Sequence, residues 1–397
     1  MTVTASSGPE LMPSTMIYLD HNATTAPAPE VIAAMLPVLS GLWANPSSQH
    51  GPGQDARRAL NIARATVARM LGCKPVEVIF TSGATEANHL AVRGLLAAGR
   101  QTRRRVLFGS VEHASHLRLA RTLVDVGLQV DLMPVRRNGT LDLDAAAALI
   151  GPEVALVSLM AANNETGVLM PVAQVAALAQ AAGALLHVDA TQLIGKLPFQ
   201  FASFGADAVS LSAHKFHGPK GIGALLLRQG VPCQPQMPGS QERSRRAGTE
   251  NLPGIVGMAT ALELCGDVSA EAVRLTGLRD ALEHGLSRAL PDTHIWCQQV
   301  PRLPGTSYLR FGQVPADVVL QRLQRLGVAA SSGAACSSEG SKPSHVLTAM
   351  GVSADEALAA VRLSLGRSST QADISSLLNT LPALLQPLLR EELMTAP

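Results

Sequence analysis

Nowhere in this chain does an apolar run reach the roughly eighteen residues a helix needs to cross a bilayer, so a membrane-spanning segment is not expected. Cysteine is scarce and scattered. The five residues Cys73, Cys233, Cys265, Cys297 and Cys336 are odd in number, with no CxxC pair and no histidine at metal-ligand spacing, which argues against a disulfide framework and against a zinc or other metal site. Charge of one sign is also missing: 32 Lys+Arg face 30 Asp+Glu, and a net charge of +2 leaves no footprint for nucleic acid or an anionic membrane. The segment Met1–Met16 lacks both the basic cluster and the apolar stretch of a secretory signal, so it is expected to be a flexible lead-in on a cytoplasmic protein. The low aromatic content carries no functional reading.

What is present is core-forming material. At 47% hydrophobic the chain is not disordered, and 397 residues exceed what one core supports, so two domains are expected. Short apolar runs, "VEVIF" (76–80), "RVLFGS" (105–110), "QVDLMPV" (129–135), "VALVSLM" (154–160), "ALLHVD" (184–189), "DAVSLS" (207–212) and "IGALLLR" (222–228), alternate with Ala/Leu-rich helical stretches. That rhythm predicts an α/β fold with a mostly parallel sheet covered by helices on both faces. The helical stretches "EANHLAVRGLLAAG" and "VAQVAALAQAAG" each end in a glycine suited to a helix C-terminus. After "GTENLPGIVGMATALELC" the pattern changes to a long amphipathic helix near 271–290, which is expected to bridge the domains. Strand-like "TSYLRFG", helical "ADVVLQRLQRLG", strand-like "VRLSLG" and a terminal helix follow, a smaller α+β unit. The expected division is a lead-in at 1–16, a large α/β domain at 17–262 and a small domain at 263–397.

In open α/β sheets ligands bind at the carboxyl ends of the strands, and here those ends are unusually polar. "TSGATEAN" follows the first run and puts Ala84 and Thr85 at a helix start, where free N–H groups and the dipole favour a phosphate. "SVEHAS" delivers His113, "AANNETG" delivers Asn163, Asn164 and Glu165, and "HVDATQ" delivers Asp189 and Gln192. A capping or packing role is the ordinary explanation for any one of these, but not for all of them at once. "SLSAHKFHGPKGIGALLL" adds Ser212, His214 and Lys215 between two strands. A lysine placed there, among phosphate-type donors, suits a Schiff base, since a partly desolvated amine in a cationic pocket attacks carbonyls. Pyridoxal phosphate would use each part: a lysine for its aldehyde, an acid for its ring nitrogen, donors for its phosphate and a flat partner for its ring.

Cys336 stands in "SSGAACSSEGSKPSHVL", a run of small residues that no hydrophobic period explains. It reads either as an unremarked loop thiol or as a mobile nucleophile that reaches something bound elsewhere.

Taken together, "YLDHNATT", "NPSSQHG", "FTSGATEAN", "EHAS", "NNETGV", "HVDATQ", "SAHKFHGPKGIGAL", "RRAGTEN", "SSGAACSS", "PSHVL" and "VRLSLGR" resemble the cysteine desulfurases, class V aminotransferase-type enzymes of pyridoxal-phosphate fold type I. The length of the segment after Cys336 resembles the nitrogen-fixation/iron–sulfur-cluster group (type I) with its long catalytic loop, at about 331–345 here. The resemblance implies that Lys215 holds the cofactor aldehyde and later shuttles protons, and that Asp189 pairs with the ring nitrogen. It implies that His113 stacks on the ring, that Gln192 and Asn164 bond its phenolic oxygen or the substrate, and that Ala84, Thr85, Ser212 and His214 surround the phosphate. Thr249 would reach that phosphate from the other subunit of a homodimer. Arg362 would clamp the substrate carboxylate, with Asn45 helping at the substrate end, and Cys336 would take sulfur from L-cysteine and pass it to a sulfur acceptor or iron–sulfur scaffold protein. Selenocysteine lyase, or another class V β-lyase, is the rival enzymatic reading, and a non-catalytic sulfur-trafficking scaffold the rival from another class. One departure stands out: "MPGSQERSRR" replaces a glycine run of the family, so Pro238 and Ser240 are expected to alter the approach to Thr249.

Overall fold

The computed structural model describes residues 16–99, 103–332 and 342–395. The expected lead-in, save Met16, and the stretch 333–341 with Cys336 lie outside the described residues. Strand β1 (Ile17–Tyr18) opens the chain, and seven strands then build the main sheet. They are β2 (Val78–Thr81), β3 (Arg105–Gly109), β4 (Gln129–Met133), β5 (Val154–Met160), β6 (Leu185–Asp189), β7 (Ala208–Ser212) and β8 (Gly223–Leu227), in the order β2-β8-β7-β6-β5-β3-β4. Neighbours from β7 through β4 run parallel, while β8 runs antiparallel to both β2 and β7. The carboxyl ends of β2, β3, β5, β6 and β7 therefore share one edge.

The apolar runs are continuous, not alternating, because both faces of this sheet are buried. Alternate residues serve opposite cores: Leu107, Val157 and Val209 face one, and Val106, Phe108, Leu156 and Ala208 the other. Helices Pro29–Gly41, Gly51–Leu71 and Leu252–Leu264 pack together and contribute to the first core, and helices Ala84–Ala98 and Ala114–Asp125 cover the second. Of the two helix-ending glycines, Gly183 takes the left-handed conformation (φ 65°), where its N–H closes back on Ala179 and Gln180. Gly99 instead ends its helix extended, at φ −70°. The first predicted strand starts late because Pro75–Glu77 form a 3-10 turn whose Glu77 carboxylate accepts the Lys74 N–H at 2.8 Å.

The later part of the chain forms a four-stranded antiparallel sheet from β9 (Thr293–Ile295), β10 (Thr306–Phe311), β12 (Ser331–Ser332) and β13 (Val361–Ser364), ordered β12-β13-β10-β9. Strand β11 (Val328–Ala329) leaves it to pair with β1 in parallel. The helix expected as a bridge runs Val268–Ala289 and commits Leu275, Leu278, Leu282 and Leu286 to a separate core with Ile374, Leu377, Leu381 and Leu385 of helix Gln371–Thr395. Leu19 joins that core from the start of the chain. Its neighbour Asn22 donates its N–H to Ser364 Oγ at 3.0 Å, which brings the early chain to the rim of both sheets.

The "MPGSQERSRR" segment is pinned from beneath. Glu242, Arg243 and Ser244 take left-handed backbone angles, and the buried Glu242 carboxylate is held by Arg64 at 2.6 and 2.8 Å and by the Phe80 N–H at 2.9 Å. Among the described residues no helix is long and apolar enough to cross a membrane, and no cluster of side chains could hold a metal.

Candidate active site

A cavity of about 830 Å³ opens at the shared carboxyl edge. Its walls include Ala84, Thr85, His113, Asn164, Asp189, Gln192, Ser212, His214, Lys215 and Arg362, so ten residues singled out from the sequence meet in one place. All but Arg362 arrive because a strand of the main sheet stops there and the chain must turn; Arg362 comes from within β13.

Lys215 ends the one-turn helix Ala213–Lys215 that follows β7. Its Nζ donates to the carbonyls of Asn22 and Ala23, both at 2.7 Å. Burial, then the nearby Arg362 guanidinium, lowers its pKa to about 8 against the partial opposition of Asp189 and Asp20. The charged form loses hydration in such a site, which brings a free amine within reach of neutral pH.

Asp189 closes β6 and is buried. Burial alone would raise its pKa, but hydrogen bonds from Thr191 (N–H to Oδ1, 2.9 Å) and Asn88 (Nδ2 to Oδ2, 2.7 Å) outweigh it and hold the carboxyl below its usual value. It stays ionised, as a partner for a protonated ring nitrogen must. His113 caps helix Ala114–Asp125, with Nδ1 2.8 Å from Ser115 Oγ, and its pKa is lowered chiefly by burial. A neutral ring facing the cavity suits stacking. His214 pairs Nδ1 with Thr24 Oγ1 at 3.1 Å, and burial followed by the cation of Lys215 lowers its pKa to about 4.

Arg362 on β13 reaches in from the smaller sheet. Its guanidinium donates to Asp20 Oδ1 at 2.7 Å and to the Asn164 carbonyl at 2.9 Å. Gln192 turns its Nε2 to the Asn22 carbonyl (2.9 Å) and accepts from Lys196 Nζ on Oε1 (2.6 Å), so its amide faces the chain, not only the cavity.

Two site residues expected from sequence do not reach this cavity. Asn45 is exposed and uses Oδ1 to accept the Ser47 N–H at 2.8 Å, an Asx turn ahead of helix Gly51–Leu71. Thr249 is exposed and absent from the walls of its own chain's cavity. Cys336 lies outside the described residues, but Ser331 and Ser332, a few positions before it, line the cavity.

Sequence reasoning assigned no role to Asp20, Asn22, Asn88 or Lys196. Asn88 could have been found, since it follows Thr85 by about one turn on the same helix, and Asn22 sits within the quoted "YLDHNATT". Lys196 gave only its spacing of one turn from Gln192.

The donor set fits pyridoxal phosphate. Helix Ala84–Ala98 starts at Gly83 without a side-chain cap, leaving first-turn N–H groups for a phosphate. On the wall, the buried Asn164 Oδ1 has no hydrogen-bond partner among the described residues, as expected of a group that meets a ligand.

Comparison with known proteins agrees with this geometry. The aminotransferase class-V family model matches residues 17–377. A cysteine desulfurase of Cereibacter sphaeroides is 47% identical over 375 residues, covering 94% of this chain and 96% of that protein. A solved NifS-like protein superposes with a TM-score of 0.88 at 34% identity, covering 94% of this chain and all of the other. A structure described as SspA in complex with cysteine has a TM-score of 0.79 at 30% identity, covering 88% and 98%. The chain belongs to the class-V aminotransferase family, an enzyme of a family strongly associated with pyridoxal phosphate, with the type I fold of the NifS-like cysteine desulfurases.

Proposed function

We propose that the chain is a pyridoxal-phosphate-dependent L-cysteine desulfurase that converts L-cysteine to L-alanine, leaves a persulfide on Cys336 and passes the sulfur to an acceptor protein such as an iron–sulfur scaffold. The observation that carries the reading is the convergence of Lys215, Asp189 and Arg362 on one cavity whose rim includes Ser331 and Ser332. Cys336 follows Ser332 by four positions, a span of at most about 14 Å even for an extended chain, so chain length alone does not keep it from the cavity.

Bound there, the cofactor supplies an aldehyde for amines and an electron sink for the substrate Cα. Ala84, Thr85, Ser212 and His214 would hold its phosphate, Asp189 would pair with its ring nitrogen, and His113 would stack on the ring. Arg362 binds the substrate carboxylate, with its orientation set by Asp20 and the Asn164 carbonyl. Lys215 Nζ would take the proton from the substrate Cα. The Cys336 thiolate then attacks the substrate sulfur: the substrate C–S bond breaks, an S–S bond forms, and the carbon skeleton leaves as alanine after reprotonation. One cysteine and one enzyme thiol give one alanine and one enzyme persulfide, with no external oxidant.

The reading includes a homodimer. Ile32, Leu36, Leu39 and Trp43 expose apolar surface along and just beyond helix Pro29–Gly41, Trp43 to 79%. Such a stripe favours burial against a second copy, and Thr249, outside its own cavity, is then free to serve the partner's phosphate site.

The test is to load the purified protein with pyridoxal phosphate, add L-cysteine, and measure alanine and cyanide-labile sulfur. Equal yields in a single turnover, with the label on Cys336, are expected. Release of free sulfide with no label on Cys336 would overturn the proposal in favour of a direct β-lyase.

A further inference from the structure

Behind the cavity wall lies a second lysine. Lys196 is in the turns that follow β6, with its amine deep in the protein, and it donates to Asn22 Oδ1 at 2.9 Å and to Gln192 Oε1 at 2.6 Å. A buried amine without a carboxylate is costly, and among the described residues these two amide oxygens are what it donates to. Burial, then the cations of Lys215 and Arg362, drives its pKa well below the usual lysine value.

The two amides it holds converge again. Gln192 Nε2 donates to the Asn22 carbonyl at 2.9 Å, and that same carbonyl accepts Lys215 Nζ at 2.7 Å. The other end of Asn22, Nδ2, donates to Thr306 Oγ1 at 2.9 Å and to the Asn164 carbonyl at 3.3 Å. The Asn164 carbonyl also receives Arg362. An amide has two nearly isosteric orientations, and only its surroundings choose between them. An amine facing both oxygens chooses for both. A neutral amine keeps two N–H donors, enough for both oxygens, so the arrangement does not need a charged Lys196.

We propose that Lys196 is a positioning residue for Lys215, orienting the Asn22 and Gln192 carboxamides so that the Asn22 carbonyl is held where it receives the Lys215 amine and Asn22 Nδ2 is held toward the Asn164–Arg362 contact. This rests on the functional reading above only in treating Lys215 as the reactive amine. Its physical content, one lysine setting the environment of another, does not depend on the substrate.

The groups facing Lys215 are Asp189 from β6, Asp20 and the Asn22 and Ala23 carbonyls from the early chain, Arg362 from β13, and the adjacent His214 and His113. Lys196→Met keeps the stem and removes both donors. It leaves two buried amide oxygens unpaired and removes the donor that ties the Gln192 and Asn22 side chains to one point, loosening the hold on the Asn22 carbonyl. Lys196→Arg places a permanent cation in the same pocket.

The experiment labels the five lysines (Lys74, Lys196, Lys215, Lys220 and Lys342) with carbon-13 at Cε in the cofactor-free chain and follows the Lys215 signal against pH. The signal is assigned by its loss in Lys215→Ala. In Lys196→Met the Lys215 titration is expected to move down by about half a pH unit or more, because a loosened carbonyl no longer favours the charged amine. In Lys196→Arg it should move further down, because a like charge is now fixed nearby. In the cofactor-loaded enzyme, Lys196→Met should lower kcat by roughly tenfold or more while KM changes less, since a misplaced reactive group costs the chemical step. A Lys215 titration that coincides with the wild type in both variants, with only the melting temperature lowered, would overturn the proposal and leave Lys196 a structural residue. If the titrations move as expected but the loaded wild type forms no alanine from cysteine, the desulfurase reading fails and the Lys196 proposal stands.

Discussion

Replacing Asp189 by asparagine separates what its charge does from what its shape does. The carboxylate receives the Asn88 amide at 2.7 Å and the Thr191 N–H at 2.9 Å, so one oxygen of the replacing carboxamide can keep Thr191 while its NH₂ faces Asn88. Asn88 can answer that change. Its own Oδ1 is buried without a partner among the described residues, so turning the amide over offers that oxygen to the new NH₂ and exchanges one unpaired atom for another. The cost to the fold is then two charge-assisted bonds replaced by neutral ones, about 1 kcal/mol each. The sign with pH follows from linkage. Asp189 has a folded pKa below its ordinary value, so its charge stabilises the fold above the unfolded pKa, and that contribution fades as pH falls through the folded one. The small stability gap between wild type and Asp189→Asn should therefore close in acid. Catalysis should suffer far more: losing a charge partner of the reacting system typically costs about 10²–10³ in kcat. The assay pairs thermal melts of the cofactor-free proteins at neutral and acid pH with initial rates of alanine formation in excess pyridoxal phosphate. A rate within about twofold of wild type, far short of such a loss, would show that Asp189 merely caps its strand. A collapse of the melting temperature to match the lost activity would show that its role is structural.

Lys215→Ala should abolish both alanine formation and the visible absorbance of the loaded protein; undiminished turnover would refute the assignment of Lys215. Cys336→Ser should still bind cysteine but yield no enzyme-bound sulfur, as a serine hydroxyl is a poor nucleophile near neutral pH. Burial pushes Cys73 and Cys297 up to about 12 and Cys233 and Cys265 up to about 11, so alkylation at neutral pH should label Cys336 first; prior labelling of any of those four would contradict this. Leu36→Glu, placed on the exposed apolar stripe, should shift the protein toward a monomer in sedimentation and lower the rate at low protein concentration. An unchanged oligomeric state would move the interface elsewhere.

Much of the site was legible because its residues end strands. An apolar run that stops at a polar residue is visible in one dimension, and Thr85, His113, Asn164, Asp189, Ser212 and Lys215 all follow such runs and all line the cavity. The strand "VALVSLM" matches β5 residue for residue, since nothing at its ends competes for its backbone. The strand expected at 76–80 begins late, where Pro75 and the Glu77 carboxylate favour a turn. Asn45 did not join the cavity because its side chain is consumed locally by Ser47, a competition that residue type alone does not reveal.

The sequence by itself determined the alternation of buried strands and helices, the shared polar edge, and the placing of Lys215 at that edge, because these depend on neighbours within a few residues. The tertiary structure alone decided that β8 inserts antiparallel between β2 and β7, and that Asp20 meets Arg362 across 342 positions. It also decided that the Asn22 carbonyl receives Lys215 across 193 positions and that Lys196 stands behind both amides. The contacts of Asp20 and Asn22 carry no periodic signal, since each joins segments that are distant along the chain. Their partners are single polar atoms, and a carbonyl or an amide oxygen looks the same in any sequence until packing removes water and leaves it one donor to find.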